Sequence, residues 1–220
     1  HNDIRNNLGA PPKINLNTIM QFVSRPSWCL NMMTAKKLNF GNIMGHVTNV
    51  TNLSSLASWT ADQFDPTLTW EDIAWIKDRW KGKLILKGIM DCEDAMLAVK
   101  VGADAIIISN HGGRQLDGAP STISVLPEIV DAVNSKVEVH FDGGVRSGQD
   151  VLKALALGAD CIHIGRPYVY GLGAKGQEGV EIAIEIIKKE LDLTMAMCGE
   201  TNISNVGLHN LHHNPFKIIN

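Results

Sequence analysis

The sequence predicts an α/β fold: a parallel (β/α) barrel of the TIM type, of which the chain carries about four βα units behind a long loop. Four short apolar runs recur from residue 83 onward, each followed by a helical pattern. Residues 100–108 (KVGADAIII) recur as residues 156–164 (ALGADCIHI), and both copies are typical of a helix end, a glycine stop and a buried strand. Glycine-rich or charged residues follow every predicted strand, at the position where such barrels hold their active sites.

Length and composition are those of a globular protein, with 220 residues, of which 45% are hydrophobic and 20% charged. We therefore expect a single domain over residues 1–220. A net charge of −3 and the lack of any Lys/Arg run exclude nucleic-acid binding by bulk charge. No apolar run approaches the ~20 residues needed to span a bilayer. The four cysteines are far apart and without ligand spacing, which favours reduced thiols in a cytoplasmic protein and predicts no metal site.

The N-terminal third is irregular. Residues 17–24 predict a short helix that Pro26 ends. Residues 29–66 are rich in Asn, Thr, Ser and Gly and are predicted to form one long loop, which at this length is usually functional. Regular patterning begins at Thr69, a good N-cap for a helix with acidic residues in its first turn.

The βα units follow in order. Strands are predicted over residues 83–87, 105–109, 137–141 and 161–164. The second is an unbroken apolar run, as in a parallel strand buried on both faces. The predicted helices run from Asp91 to Gly102, near residues 123–133, from Ser147 to Gly158, and over residues 177–197. Four units of this kind are half of an eight-unit barrel, which takes roughly 250 residues.

Two glycine–arginine turns follow the third and fourth strands. Gly144 and Arg146 precede the helix that Ser147 caps, and Gly165 with Arg166 follows the last strand. Backbone N–H groups at a helix N-terminus bind anions, and an arginine adds a forked donor for phosphate. Tight turns with solvated arginines are the alternative, but two such turns on neighbouring strands favour a phosphate site.

The loop after the second strand and the end of the first carry the candidate reactive groups. His111 takes up a proton near neutral pH, and Arg114 can hold a carboxylate through its guanidinium. Together they suit chemistry at the α-carbon of a small acid, although a structural histidine in a glycine-rich loop is the alternative. Lys87, expected to be buried at its strand end, needs an anionic partner. Either the electron-rich edge of a reduced flavin or an Asp/Glu carboxylate would serve.

Four motifs resemble the FMN-dependent 2-hydroxy-acid oxidase and dehydrogenase family. They are residues 86–89 (LKGI), 109–118 (SNHGGRQLDG), 142–146 (DGGVR) and 164–167 (IGRP). Their order and spacing fit from residue 3 to about residue 201, and the ten-residue string is highly specific. Residues 64–70 (FDPTLTW) resemble most the flavin-linked L-lactate dehydrogenase branch.

The resemblance implies a role for each motif residue. His111 is implied to be the active-site base and Arg114 the ligand of the substrate carboxylate, while Lys87 stabilises the flavin N1/O2 edge. The resemblance further implies oxidation of a small L-2-hydroxy acid, foremost L-lactate, with FMN as cofactor. The electron acceptor would be oxygen, a quinone or a cytochrome. The residues implied to line the flavin and its ribityl chain are Ser109 and Asp142, and those implied to hold its phosphate are Gly144, Arg146, Gly165 and Arg166.

The resemblance also bears on partners and location. Members of the family form homo-oligomers, and residues 29–66 match a region implied to contact the membrane or the electron acceptor. We therefore expect a cytoplasmic protein that is held peripherally at the inner membrane. The alternative is that residues 29–66 cover the mouth of the barrel. Since the family has a further half before the segment matched here, we expect the C-terminal half of the barrel. We also expect the chain alone to bind FMN weakly or not at all, and not to turn over substrate.

Two other readings stay open. The phosphate turns alone would permit another FMN barrel, such as an isopentenyl diphosphate isomerase or an IMP-dehydrogenase-like enzyme, although the pair His111 and Arg114 argues against it. A non-catalytic half-barrel that needs a partner chain is the other alternative, since a sheet cut at its middle leaves open edges.

Overall fold

The computed structural model of the chain describes residues 15–35, 55, 59–60, 62–63 and 65–212. Contacts divide the chain into two compact units, residues 1–68 and 69–220. One domain over residues 1–220 stays a prediction, and most of the predicted loop, residues 29–66, lies outside the described residues. None of the helices in the described ranges is long and apolar enough to cross a bilayer.

In the first unit, residues 15–35 contain two helices, α1 (Leu16–Val23) and α2 (Pro26–Thr34). The predicted short helix is confirmed as α1, whose N-cap Asn15 accepts the N–H of Thr18 at 2.9 Å. Helix α2 covers the first residues of the predicted loop, so residues 29–34 are helical and that part of the prediction is wrong. The reason is that Pro26 stands in the first turn of α2, where its missing N–H costs nothing and its fixed φ suits a helix.

The second unit is built around a four-stranded parallel sheet in the order β1-β2-β3-β4, which confirms the predicted α/β arrangement. The strands are β1 (Ile85–Ile89), β2 (Ala105–Ile108), β3 (Glu138–Asp142) and β4 (Cys161–His163). The helices are α3 (Trp70–Arg79), α4 (Cys92–Lys100), α5 (Thr122–Val133), α6 (Gly148–Ala156), α7 (Arg166–Lys175) and α8 (Gln177–Met197). Helix α7 was not predicted, because its glycines and tyrosines break the apolar period that marks a helix.

The two faces of the sheet have different surroundings. Ile106, Ile108, Val139 and Phe141 are at most 2% exposed and form one core cluster with apolar residues of α4, α5 and α6. Successive side chains of a strand point to opposite faces, so the alternate residues lie on the other face of the sheet. That face carries polar side chains: Lys87, Glu138, His140, Asp142, Cys161 and His163.

The repeated segment is also a structural repeat. The Asp104 carboxylate accepts the N–H of Leu84 at 2.9 Å, and the Asp160 carboxylate accepts the N–H of Val139 at 2.8 Å. The backbone N–H of Asp104 in turn donates to the carbonyl of Leu84, and that of Asp160 donates to the carbonyl of Val139. Each copy therefore ties the start of its own strand to the start of the neighbouring one, which keeps the strand ends level at the opposite edge.

Helix α6 is held against α8 through a glycine. A Cβ built on Gly148 would lie 1.9 Å from the backbone nitrogen of Leu191, so only glycine permits this approach. The N–H of Gly148 donates to the Glu190 carboxylate at 3.0 Å. This contact fixes the N-terminus of α6, which follows directly on the predicted phosphate turn after β3.

Candidate active site

The carboxyl ends of β3 and β4 and the loop after β2 border a cavity of about 300 Å³. Most of the predicted site residues line it: His111, Arg114, Asp142, Gly144, Arg146, Gly165 and Arg166. Lys87 and Ser109 stand beside the cavity, and Lys87 bonds to Asp142 at its edge. The strand-end motifs, which lie as much as 79 positions apart in the chain from Lys87 to Arg166, thus meet at one edge of the sheet.

Lys87 of β1 and Asp142 of β3 form an ion pair across β2, the strand between them. The Lys87 ammonium lies 2.5 Å from Asp142 Oδ2 and 2.7 Å from Ser109 Oγ, and Ser109 Oγ also accepts the N–H of His111 at 3.1 Å. The Lys87 side chain is 46% exposed, so the expectation that it is buried is wrong. It lies on the sheet face away from the helices. An ammonium has three N–H donors, so two bonds leave one for an acceptor in the cavity.

The loop after β2 holds an unusual backbone. His111, Gly112 and Gly113 have positive φ values of 56, 65 and 71°, which a side chain rarely tolerates. Asn110 pins this turn: its Oδ1 accepts the N–H of Gly113 at 3.1 Å, and its Nδ2 donates to the Pro120 carbonyl at 3.0 Å. A histidine held at positive φ by its neighbours is typical of functional sites, where the surroundings stabilise a costly conformation.

The His111 ring has a partner that the sequence reasoning did not single out. His111 Nδ1 lies 3.0 Å from Nε2 of the Gln115 side-chain amide, a nitrogen that can only donate. For His111 Nε2 to accept a proton, Nδ1 has to carry one, and Gln115 must then present its amide oxygen. A rotation of the Gln115 amide by 180° exchanges its oxygen and nitrogen, so the same contact can accept an N–H from His111 Nδ1. Arg114, on the same loop, lines the same cavity.

The two glycine–arginine turns differ in the backbone N–H groups that they offer to an anion. At the start of α6 the Asp150 carboxylate already accepts the N–H groups of Arg146 and Ser147, at 3.0 and 3.1 Å, so these are not the bare donors expected. Asp150 stands three residues after the N-cap and closes a capping box. The N-cap of α7 is Gly165, which brings no side-chain acceptor. The backbone N–H groups of Arg166 and Tyr168 therefore suit an anion, while Pro167 between them has no N–H.

Arg166 joins the phosphate turn to the loop after β2. Its guanidinium donates a hydrogen bond to the carbonyl of Gly112. A Cβ on Gly112 would lie 2.5 Å from a guanidinium nitrogen of Arg166, so a side chain at this position would displace the end of that guanidinium. The His111 loop and the start of α7 are therefore positioned together.

These residues fit the phosphate end of FMN. A Cβ built on Gly144 or Gly165 would meet nothing within 4 Å, so both turns border open space. Arg146 and Arg166 line the same cavity as forked cationic donors, beside the start of α7. A phosphate held there would face two guanidinium groups and the N-terminal N–H groups of one helix.

Residues 1–213 match the family model described as FMN-dependent dehydrogenase. L-lactate dehydrogenase of Vibrio cholerae is 41% identical over 201 residues, covering 91% of this chain and 53% of the relative. L-lactate dehydrogenase of Stenotrophomonas maltophilia is 41% identical over 205 residues, covering 93% of this chain and 54% of the relative. The chain thus spans about half the length of the curated relatives it matches.

Solved structures agree. The crystal structure described as the monotopic membrane protein (S)-mandelate dehydrogenase matches 96% of this chain and 56% of its own, with a TM-score of 0.89 and 33% identity. Mandelate oxidase with (S)-4-hydroxymandelic acid matches 70% of this chain and 43% of its own, with a TM-score of 0.65 and 45% identity.

Fold and site together define a flavin-dependent (β/α)-barrel class of oxidoreductases. Within that class the chain belongs to the FMN-dependent dehydrogenase family, which confirms the resemblance seen in the sequence and its cofactor, FMN. The match to (S)-mandelate dehydrogenase likewise confirms the predicted barrel type of the four βα units.

Proposed function

We propose that the protein oxidises an L-2-hydroxy acid, foremost L-lactate, to the 2-keto acid with FMN as the electron acceptor. One observation carries the proposal: His111 and Arg114, a proton acceptor and a carboxylate ligand, border the same cavity as the two glycine–arginine turns. L-lactate is favoured because the curated relatives are named for it. The mandelate enzymes among the solved structures make a larger side chain on the acid the next candidate.

Each residue has a defined task in this proposal. Arg114 binds the substrate carboxylate through its guanidinium and so sets the α-carbon against His111. His111 Nε2 takes a proton from the substrate, while the Gln115 amide, flipped so that its oxygen faces the ring, accepts the N–H of Nδ1. Bound FMN supplies the two-electron acceptor. Lys87, fixed by Asp142 and Ser109, directs its remaining N–H at negative charge in the cavity.

A second candidate is a non-catalytic half-barrel that works only with a partner chain. Two observations favour it: the chain spans about half the length of its relatives, and the polar sheet face includes the Lys87 side chain, 46% exposed. We further propose peripheral membrane contact and a quinone, cytochrome or oxygen as final acceptor. The support for membrane contact is the description of the mandelate dehydrogenase as a monotopic membrane protein, while the acceptor rests on the family resemblance alone.

An anaerobic absorption experiment separates the two candidates. The purified chain is mixed with a saturating excess of FMN, and L-lactate, D-lactate or (S)-mandelate is then added. The proposed function predicts, against the expectation from the sequence for the chain alone, flavin bands that bleach with L-lactate and not with D-lactate. In a His111→Gln variant that still perturbs the bands, the bleaching should be slower by roughly 10²-fold or more. Perturbed bands that neither acid bleaches would contradict catalysis by this chain and support the half-barrel that needs a partner.

A further inference from the structure

Three potential metal ligands meet on the polar face of the sheet, beside the cavity. His140 is paired in register with Cys161 on the neighbouring strand, and His163 lies two residues beyond Cys161 on the same face. One ligand atom from each of the three side chains lies within 4.8 Å of the other two. His140 Nδ1 is 3.1 Å from His163 Nε2, and their rings are 5.2 Å apart at an angle of 37°.

We propose that His140, Cys161 and His163 form a binding site for a divalent cation of the Zn²⁺ type. Two imidazoles and a thiolate are ligands that borderline-soft cations prefer, in contrast to the all-oxygen sets of Mg²⁺ and Ca²⁺. This site is distinct from the candidate flavin contacts, although His163 also lines the cavity.

The geometry is close to that of a tetrahedral ion. Zn–N bonds of roughly 2.0–2.1 Å place two ligand nitrogens about 3.3–3.4 Å apart in a tetrahedron. The two imidazole nitrogens are 3.1 Å apart, so the ion needs them to separate by only a few tenths of an ångström. The Cys161 sulfur lies within 4.8 Å of both nitrogens and has to move closer to bind the same ion. Three protein ligands leave the fourth position to water.

A neighbouring carboxylate orients one of the two imidazoles of the proposed site. His140 Nε2 lies 3.4 Å from the Glu138 carboxylate. A carboxylate at that nitrogen holds the ring proton there and leaves Nδ1 for the ion, the usual arrangement behind a metal-bound histidine.

The test is metal binding by the purified, reduced chain, with Zn²⁺ and Co²⁺ as the probes. Zn²⁺ affinity is measured by competition with a chromogenic chelator, and Co²⁺ binding by absorption, where a cobalt–thiolate bond gives a near-ultraviolet charge-transfer band. We expect one Zn²⁺ per chain and a Co²⁺ band that disappears in Cys161→Ser. We also expect Zn²⁺ affinity to fall at least about tenfold in His163→Gln, and about tenfold in Glu138→Gln, which removes the supporting carboxylate.

Matched controls come from outside the cluster. Cys198 is an exposed thiol, and His209 is an exposed imidazole bonded to Glu200, so Cys198→Ser and His209→Gln remove the same chemistry elsewhere. Both are expected to bind Zn²⁺ and Co²⁺ as the wild type does. Circular dichroism checks that every variant is folded. The proposal is overturned if Cys161→Ser keeps the near-ultraviolet band, or if the cluster and control variants lose affinity equally.

Discussion

Lys87 Nζ lies 2.5 Å from Asp142 Oδ2, although the two residues are 55 positions apart and belong to strands that flank β2. Ser109, at the end of β2, accepts a second bond from the same ammonium at 2.7 Å. The lysine proposed to face the flavin and the aspartate proposed to line its ribityl chain therefore form one unit. The orientation of Lys87 depends on Asp142, so the two side chains are expected to act together.

Replacing Lys87 by Met is expected to change stability little and FMN binding strongly. The pair is partly exposed, and exposed ion pairs contribute about 0–1 kcal/mol, so the free energy of unfolding in urea should fall by no more than that. FMN affinity should fall strongly, because the ammonium that faces the cavity is gone. Asp142→Asn should reproduce part of that loss, because it leaves Lys87 without its ion-pair partner. A loss of about 3 kcal/mol or more, as for a broken buried pair, would mean that the pair serves the fold and not the cofactor.

Gly112 and Gly113 provide a matched pair of substitutions. Both have positive φ, so alanine at either position costs roughly 1–2 kcal/mol of backbone strain. A Cβ on Gly112 would meet the Arg166 guanidinium at 2.5 Å, whereas one on Gly113 would meet nothing within 4 Å. The free energy of unfolding in urea should therefore fall similarly in both variants, while FMN affinity should fall clearly only in Gly112→Ala, where the methyl group displaces the Arg166 guanidinium. Equal FMN affinities would show that the Arg166–Gly112 contact does not shape the site.

Gln115 is expected to act on catalysis through His111. His111→Gln removes the base and should slow anaerobic flavin reduction by L-lactate by roughly 10²–10⁴-fold. Gln115→Leu should lower kcat by a smaller factor and leave KM nearly unchanged, because it disturbs the ring of the base and not the carboxylate ligand. Gln177→Leu, which removes an exposed amide bonded to Glu181 on α8, is the control. An effect of Gln115→Leu on KM alone would contradict the positioning role.

Asp104 should make the fold sensitive to acid. Hydrogen bonds from Lys77 and Lys83, at 2.7 and 2.8 Å, lower the pKa of this carboxyl well below its usual range. A carboxyl whose pKa is depressed by folding stabilises the protein above its unfolded pKa, and that contribution is lost as the pH falls through the folded pKa. Wild-type stability should therefore decline as the pH falls below about 4–5.

The check is urea unfolding of Asp104→Asn from pH 7 down to pH 3. The variant should be less stable than the wild type at pH 7, and its stability should fall less steeply in acid. The control is Asp160→Asn, in the second copy of the repeat, where the carboxylate accepts a backbone N–H from Val139. If both variants keep the wild-type slope below pH 5, the lysine contacts of Asp104 do not stabilise the fold.

The elements set by local sequence were predicted well. Helix α8 was predicted over the residues it occupies, and Asp91 and Ser147 begin their helices as expected, because caps and apolar periods act within a few residues. Strand β1 was predicted two residues too early. Gly88, at a φ of +102°, looked like a strand end but lies within β1, where the register with β2 shifts.

Contacts between strands could not be predicted from local pattern. The pairing of Lys87 with Asp142, and of His140 with His163, depends on the register of strands that are far apart in the sequence. The bond between Arg166 and Gly112 likewise requires the start of α7 to reach the loop after β2. The motifs therefore predicted which residues meet at the strand ends, while the partners within the site came from the structure.

The most direct test of the central claim is ³¹P NMR of FMN titrated with the chain, because it observes the phosphate even when binding is weak. The phosphate resonance should shift saturably, and the affinity should fall roughly tenfold or more in Arg146→Met and in Arg166→Met, the cost of about 1.5–3 kcal/mol for a lost charged hydrogen bond. Arg79→Met, which removes a surface arginine stacked on Trp75, should bind FMN as the wild type does. A phosphate resonance that does not respond to the chain, or responds equally with all three variants, would contradict the account.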